Sequence, residues 1–142
     1  MADALNITIE PPDEVVTGQI HASLGAFNRA AVDRSAREFF NVALRDAEGR
    51  LQGALMASIR FDVLNIQDLF IAEPHRRGGN GARLIAVAET EARKRGARLA
   101  CVMTFSWQAR PFYEKQGYEV FGELPYQAGA HTLYWLKKSL CA

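Results

Sequence analysis

The chain reads as an α/β protein, a central mixed sheet with helices on both faces, in the order β-α-β-β-β-α-β-α-β-β. Three observations predict this class. Apolar residues alternate by two in some stretches and recur at three and four in others, and the two patterns interleave. Residues 38–71 carry successive strand patterns separated only by turn residues, as in a meander. A glycine-rich stretch, Arg76-Arg77-Gly78-Gly79-Asn80-Gly81-Ala82, then joins an apolar strand to a long amphipathic helix. At 142 residues and 15.8 kDa the sequence predicts one domain spanning 1–142.

In order, Leu5 to Glu10 alternates Leu5, Ile7 and Ile9 with polar neighbours, which predicts a strand with one buried face. Pro11-Pro12 ends it. From Asp13 to about Ala31, Val16, Ile20, Leu24, Phe27 and Ala31 form a one-sided helical stripe. Glu38 to Asp46 and Leu51 to Phe61 predict a hairpin around Ala47-Glu48-Gly49-Arg50, and Asp62 to Ile71 predicts the third meander strand. Beyond the glycines, Arg83 to Arg95 places Leu84, Ala88 and Ala92 on one helical face. Glu89–Arg93 and Glu91–Arg95 read as solvent-side pairs, with Gly96 at the exit. Ala97 to Phe105 predicts a strand, and Ala109 to Gln116 a short helix with Pro111 in its first turn. Tyr118 to Glu123 and Thr132 to Lys138 predict the closing strands.

Composition narrows the function classes. The formal net charge of +1 gives no global field for nucleic acid or an anionic membrane, and the basic runs are short and dispersed. No apolar run approaches the ~20 residues of a membrane span. The N-terminus lacks a secretory pattern, so a cytoplasmic location is expected. Cys101 and Cys141 form no CxxC pair, and no metal site is expected.

The glycine stretch is the most informative. A glycine turn opening a helix presents unpaired backbone N–H groups at the positive end of the helix dipole, a ready site for phosphate. A Walker loop would need lysine after Gly81, and none follows. A dinucleotide loop would need glycine where Leu84 stands.

Read from Ile66 to Gly122, the chain resembles the GCN5-related N-acetyltransferase (GNAT) superfamily. Its cofactor signature, Arg/Gln-x-x-Gly-x-Gly/Ala after an apolar strand end and an acidic-Pro turn, matches Leu69-Phe70-Ile71-Ala72-Glu73-Pro74-His75 followed by the glycine stretch. About thirty residues on, Phe112-Tyr113-Glu114-Lys115-Gln116-Gly117-Tyr118 matches the family's short helix and Gly-aromatic exit. The resemblance implies an acetyl-CoA-dependent N-acetyltransferase that acts on a small or protein-borne primary amine by direct attack in a ternary complex. Further alternatives are a non-catalytic acyl-CoA-binding module and an enzyme using a longer acyl chain. Dimers are common among proteins of this kind.

The same resemblance implies residue roles. Backbone N–H groups from Arg77 to Ala82 (Gly78, Gly79, Asn80 and Gly81 between) would hold the coenzyme A pyrophosphate, with Arg76 and Arg77 beside it. The backbone of Leu69, Phe70 and Ile71 would pair with the pantetheine arm, next to a neighbouring strand that splays away. Ser106 stands where relatives often carry a cofactor-contacting Asn, and Gln108 is its substitute. Tyr113 would protonate the departing thiolate. In water that transfer runs uphill by about 2 kcal/mol, from a phenol of pKa near 10 to a thiol of roughly 8.5. Where some relatives carry Glu-Asp, this chain has Gln67-Asp68. Gln67 cannot titrate, which leaves Asp68 to hold a cationic amine or relay its proton, or else to be spent as a sheet carboxylate on backbone or on an Arg such as Arg60. Glu123 and His131 are further candidates.

Overall fold

A computed structural model describes residues 3–32, 36–126 and 130–141. They group into two compact units, one running through residue 35 and one from residue 36 onward. In the smaller unit, helix α1 (Glu14–Ala31) starts where the Asp13 carboxylate accepts the Val16 N–H at 2.9 Å. Glu14 complements the dipole in its first turn. The strand expected over Leu5 to Glu10 does not form, and residues 3–13 carry no strand. Alternation specifies a strand only where another strand pairs with it, and no ladder reaches these residues.

The larger unit holds six strands: β1 (Glu38–Arg45), β2 (Leu51–Arg60), β3 (Val63–Ile71), β4 (Leu99–Phe105), β5 (Glu119–Tyr126) and β6 (His131–Ser139). They lie in the order β1-β2-β3-β4-β6-β5, antiparallel throughout except for β3 against β4. The β1–β2 turn is tied by Asp46, which accepts from the backbone N–H of Glu48 and Arg50 and from Arg50 Nε. A parallel pair needs a crossover, supplied here by a single 3-10 turn (Glu73–His75) and helix α2 (Asn80–Lys94). Helix α2 begins three residues before the expected Arg83, so Asn80, Gly81 and Ala82 form its first turn. Helix α3 (Arg110–Lys115) links β4 to β5.

The core lies between α2 and the sheet. Leu84, Ile85, Ala88 and Ala92 meet Leu55, Ala57, Ile59, Leu64, Ile66, Ala100, Val102 and Leu136, all buried. Glu89 corrects the solvent-side assignment. It lies one helical turn beyond Ile85 on the same stripe and is only 5% exposed. Tyr118 Oη donates to it at 2.8 Å and Lys138 Nζ at 2.9 Å, so the carboxylate is paired as a buried charge must be. Arg93 instead donates to the Leu140 carbonyl at 3.0 Å. The expected Glu91–Arg95 pair forms, also at 3.0 Å.

Candidate active site

One irregularity in β3 organises the site. Met56 pairs with Asp68 but Ala57 with Ile66, so Gln67 is an extra residue, a β-bulge. Leu64 and Ile66 face the core before the bulge, and Leu69 and Ile71 pack against the core after it. The phase slips by one residue, which leaves Asp68 and Phe70 on the opposite face. At the same level the parallel ladder stops: β3 pairs with β4 only from Val63↔Leu99 to Ile66↔Val102. Beyond it, β4 stays paired with β6 as far as Phe105↔Leu133. The expected splay is therefore present, starting after Val102.

Backbone direction decides which groups face the gap. Ala72 N–H bonds to Gln52 on the β2 side. By alternation Phe70 faces β2 as well, while Leu69 and Ile71 turn their N–H and C=O groups to the open edge. The Ile71 carbonyl is already taken by Arg76 Nε at 2.8 Å. Among the described residues, Leu69 and the Ile71 N–H stay open for an extended ligand. Phe70, grouped with them from sequence, contributes no backbone group there, and its side chain is 51% exposed.

The glycine turn follows. Arg77 (φ 64°) and Gly79 (φ 83°) are both left-handed, and Gly79 caps α2 without a side-chain bond. The N–H groups from Arg77 through Ala82 have no acceptor among the described residues; the first helical bond is Arg83 N–H to the Gly79 carbonyl. A Cβ on Gly78 or Gly79 would meet nothing, whereas one on Gly81 would lie 3.1 Å from the Phe112 ring. The first two glycines thus leave open space, and the third lets α3 pack closely on α2. Asn80 braces the turn through His75 O (3.0 Å) and Arg83 Nη1 (3.0 Å). A pocket of about 370 Å³ opens here, lined by the turn together with His75, Phe112, Lys115 and Gln116. Its charged lining is entirely cationic, from Arg76, Arg77 and Lys115. Open N–H groups, positive charge and free space fit a pyrophosphate. Phe112 and Lys115 were missed from sequence because only the fold brings α3 against the turn.

Tyr113, on α3, is 6% exposed and packs edge-on against Phe112 (5.1 Å) and Tyr118 (5.9 Å). Its hydroxyl has no hydrogen-bond partner among the described residues, yet it is not among the atoms sealed from solvent. Burial, and next the charge of Asp68, push its pKa up to about 12. That coupling links Tyr113 on the core side of the sheet to Asp68 on the other side. The Asp68 carboxylate is exposed and bears no hydrogen bond or ion pair among the described residues. The alternative of a carboxylate spent on backbone or on Arg60 does not hold.

Ser106 lies just past the end of β4. Its Oγ accepts the Thr132 N–H at 3.0 Å and lies 3.1 Å from His131 Nδ1, closing the β4–β6 end. Gln108 Oε1 accepts from Thr104 Oγ1 (3.2 Å) and the Phe105 N–H (3.0 Å). Neither lines the glycine-turn pocket. Glu123 is exposed on β5. No grouping of His, Cys, Asp and Glu able to hold a metal occurs among the described residues.

Residues 15–134 match the acetyltransferase (GNAT) domain family. The chain is 32% identical over 119 residues to acetyltransferase Atu2258 of Agrobacterium fabrum, across 84% of this chain and 87% of that protein. It is 33% identical over 93 residues to the blasticidin-S acetyltransferase of Streptomyces morookaense, across 65% and 68%. A crystal structure of an Agrobacterium tumefaciens protein assigned as an acetyltransferase superposes with a TM-score of 0.86 at 29% identity. It covers 96% of this chain and 99% of that one.

Proposed function

The chain belongs to the acetyltransferase (GNAT) domain family and is an acyltransferase, and from that premise we propose that it moves the acetyl group of acetyl-CoA to a primary amine within a ternary complex. The observation that carries this is the gap between β3 and β4, with the open N–H row of the glycine turn at its end and Tyr113 and Asp68 on its two sides. Acetyl-CoA, when bound, supplies an activated acyl carbon and a thiolate leaving group.

The chain's own residues do the rest. The turn and its cations hold the diphosphate, and Leu69 with the Ile71 N–H aligns the arm as an added edge strand. Asp68 draws a protonated amine to the far side of the gap by charge, and its carboxylate takes up the ammonium proton directly or through water. With acetyl-CoA bound, the freed nitrogen lone pair would form the new C–N bond as the C–S bond breaks; Tyr113 would give its proton to the departing sulfur, and the second proton shed by the acylated nitrogen would restore the phenol through water in the gap. Gln67, whose amide cannot titrate, serves as the bulge that aims Asp68. No helix among the described residues is long and apolar enough to cross a membrane. A cytoplasmic site of action belongs to this proposal.

The test is thiol release from acetyl-CoA across amines, peptides and aminoglycosides, with blasticidin S included because the Streptomyces relative is named for it. Amine-dependent thiol release with a matching acetylated product is expected. Binding of coenzyme A with no amine-dependent release from any acceptor would refute the transferase assignment. Longer acyl thioesters in the same assay fix the acyl preference.

A further inference from the structure

Aromatic rings in this protein are commonly covered by a cation: Arg95 on Phe40, Arg60 on Phe61, Lys138 on Tyr118, Lys137 on Phe121, Arg110 on Tyr134. One cluster differs. Phe105 and Trp107 stack at 4.5 Å and 12°, Tyr126 meets Phe105 edge-on at 6.0 Å, and His131 meets Trp107 edge-on at 4.7 Å. No Arg or Lys lies over Phe105, Trp107 or Tyr126 among the described residues. Trp107 is 54% exposed although one of its faces is taken by Phe105, and Tyr126 is 47% exposed. Ser106 and His131 fasten the support beneath, through the Ser106 hydroxyl.

The cluster lies on the side of the sheet that carries Asp68. Along β4, Ala100, Val102 and Thr104 are buried toward α2, so Met103 and Phe105 take the other face. Along β3, the Gln67 bulge turns Asp68 and Phe70 to that same face. Phe105 is the last residue of the strand that forms one wall of the gap, and Asp68 stands on the other wall. An unpaired carboxylate and a rigid, uncapped aromatic stack therefore flank the side of the gap opposite Tyr113.

We propose that this cluster selects the acceptor: a cationic primary amine on a short tether to a flat unsaturated ring, the ammonium directed to Asp68 and the ring packed against the exposed part of the Trp107 indole. The inference rests on the transferase reading and assigns its acceptor class. Stacking depends on a π face, whereas simple apolar burial depends only on area. That difference supplies the test.

2-Phenylethylamine and 2-cyclohexylethylamine carry the same charge on the same tether, and the saturated ring is at least as apolar. Binding of each to the protein with coenzyme A present is measured by calorimetry, and kcat/KM by thiol release from acetyl-CoA. The flat ring is expected to win by about three- to ten-fold, the span of one aromatic contact. Trp107→Leu should erase the preference and Trp107→Phe should keep most of it, with coenzyme A affinity unchanged in both. Equal or better binding of the cyclohexyl amine to the wild-type protein overturns the proposal, as does a preference that survives in Trp107→Leu. If no amine releases thiol, the transferase reading fails on its own, while the calorimetric ring preference still decides the platform.

Discussion

Tyr113 is a weaker acid in this fold than in water. With its pKa pushed up to about 12 by burial and by Asp68, transfer of its proton to a thiolate of ordinary basicity runs uphill by about 5 kcal/mol. The free phenol alone suggests less than half of that. Two features of a loaded site oppose the penalty. The thiolate forms in the same dry gap, which raises its own proton affinity, and an ammonium on Asp68 cancels the charge that holds the phenol proton. Tyr113→Phe is therefore expected to lower kcat on the order of 10² while coenzyme A affinity stays within a few-fold. Undiminished turnover would hand the proton to water. Asp68→Asn should raise the KM for a cationic amine by about ten-fold, one lost charge-assisted contact, lower kcat through loss of the proton acceptor, and leave coenzyme A binding untouched. A changed coenzyme A affinity with an unchanged amine KM would move Asp68 off the acceptor side. Tyr113 was legible in sequence because its Phe-Tyr-Glu-Lys-x-Gly-aromatic setting is local. The free state of Asp68 was not, since that depends on a bulge visible only in the β2–β3 register.

At the scale of elements, the glycine stretch does two jobs that its sequence runs together. Gly79 caps α2 in a left-handed conformation with open space beyond it, so Gly79→Glu adds strain, bulk and negative charge at the anion site. Calorimetry should show coenzyme A affinity falling by more than about a hundred-fold, since a like charge within a phosphate site costs several kcal/mol. Gly81 faces the Phe112 ring at 3.1 Å, so Gly81→Val pushes α3 away from α2 and carries Tyr113 with it. That variant should lose about 1–3 kcal/mol of stability and turn over more slowly, with most of its coenzyme A affinity kept. Affinity lost as completely as in Gly79→Glu would place Gly81 in the cradle itself. The periodicity that put Leu84, Ala88 and Ala92 on the buried face of α2 also placed Glu89 in solvent. Its partners Tyr118 and Lys138 are 29 and 49 residues away, beyond any helical spacing.

Across the whole molecule, sequence periodicity captured the strands that find partners and failed at Leu5 to Glu10, where the alternation is clear but no ladder forms. Long-range charge pairing was equally hidden, and it governs how stability should respond to alkali. Tyr113 and Tyr118 both have raised pKa values, chiefly through burial, and Tyr118 also through its bond to Glu89. A raised phenol pKa means that the folded state keeps a proton which the unfolded chain gives up near pH 10. The folded state then binds more protons than the unfolded one, so stability falls as pH rises. The contribution is complete below about pH 10 and is lost between there and about 12 for Tyr113, a span worth about 2–3 kcal/mol. Tyr118 adds a loss of the same sign. Urea unfolding at pH 8, 9, 10 and 11 should show a level free energy that drops beyond pH 10. Tyr113→Phe should have a shallower drop than wild type, because its share of the proton linkage is gone. An equal slope in the variant would mean that the Tyr113 hydroxyl is no more buried in the fold than in the unfolded chain, and would remove the closed setting on which its role as acid depends.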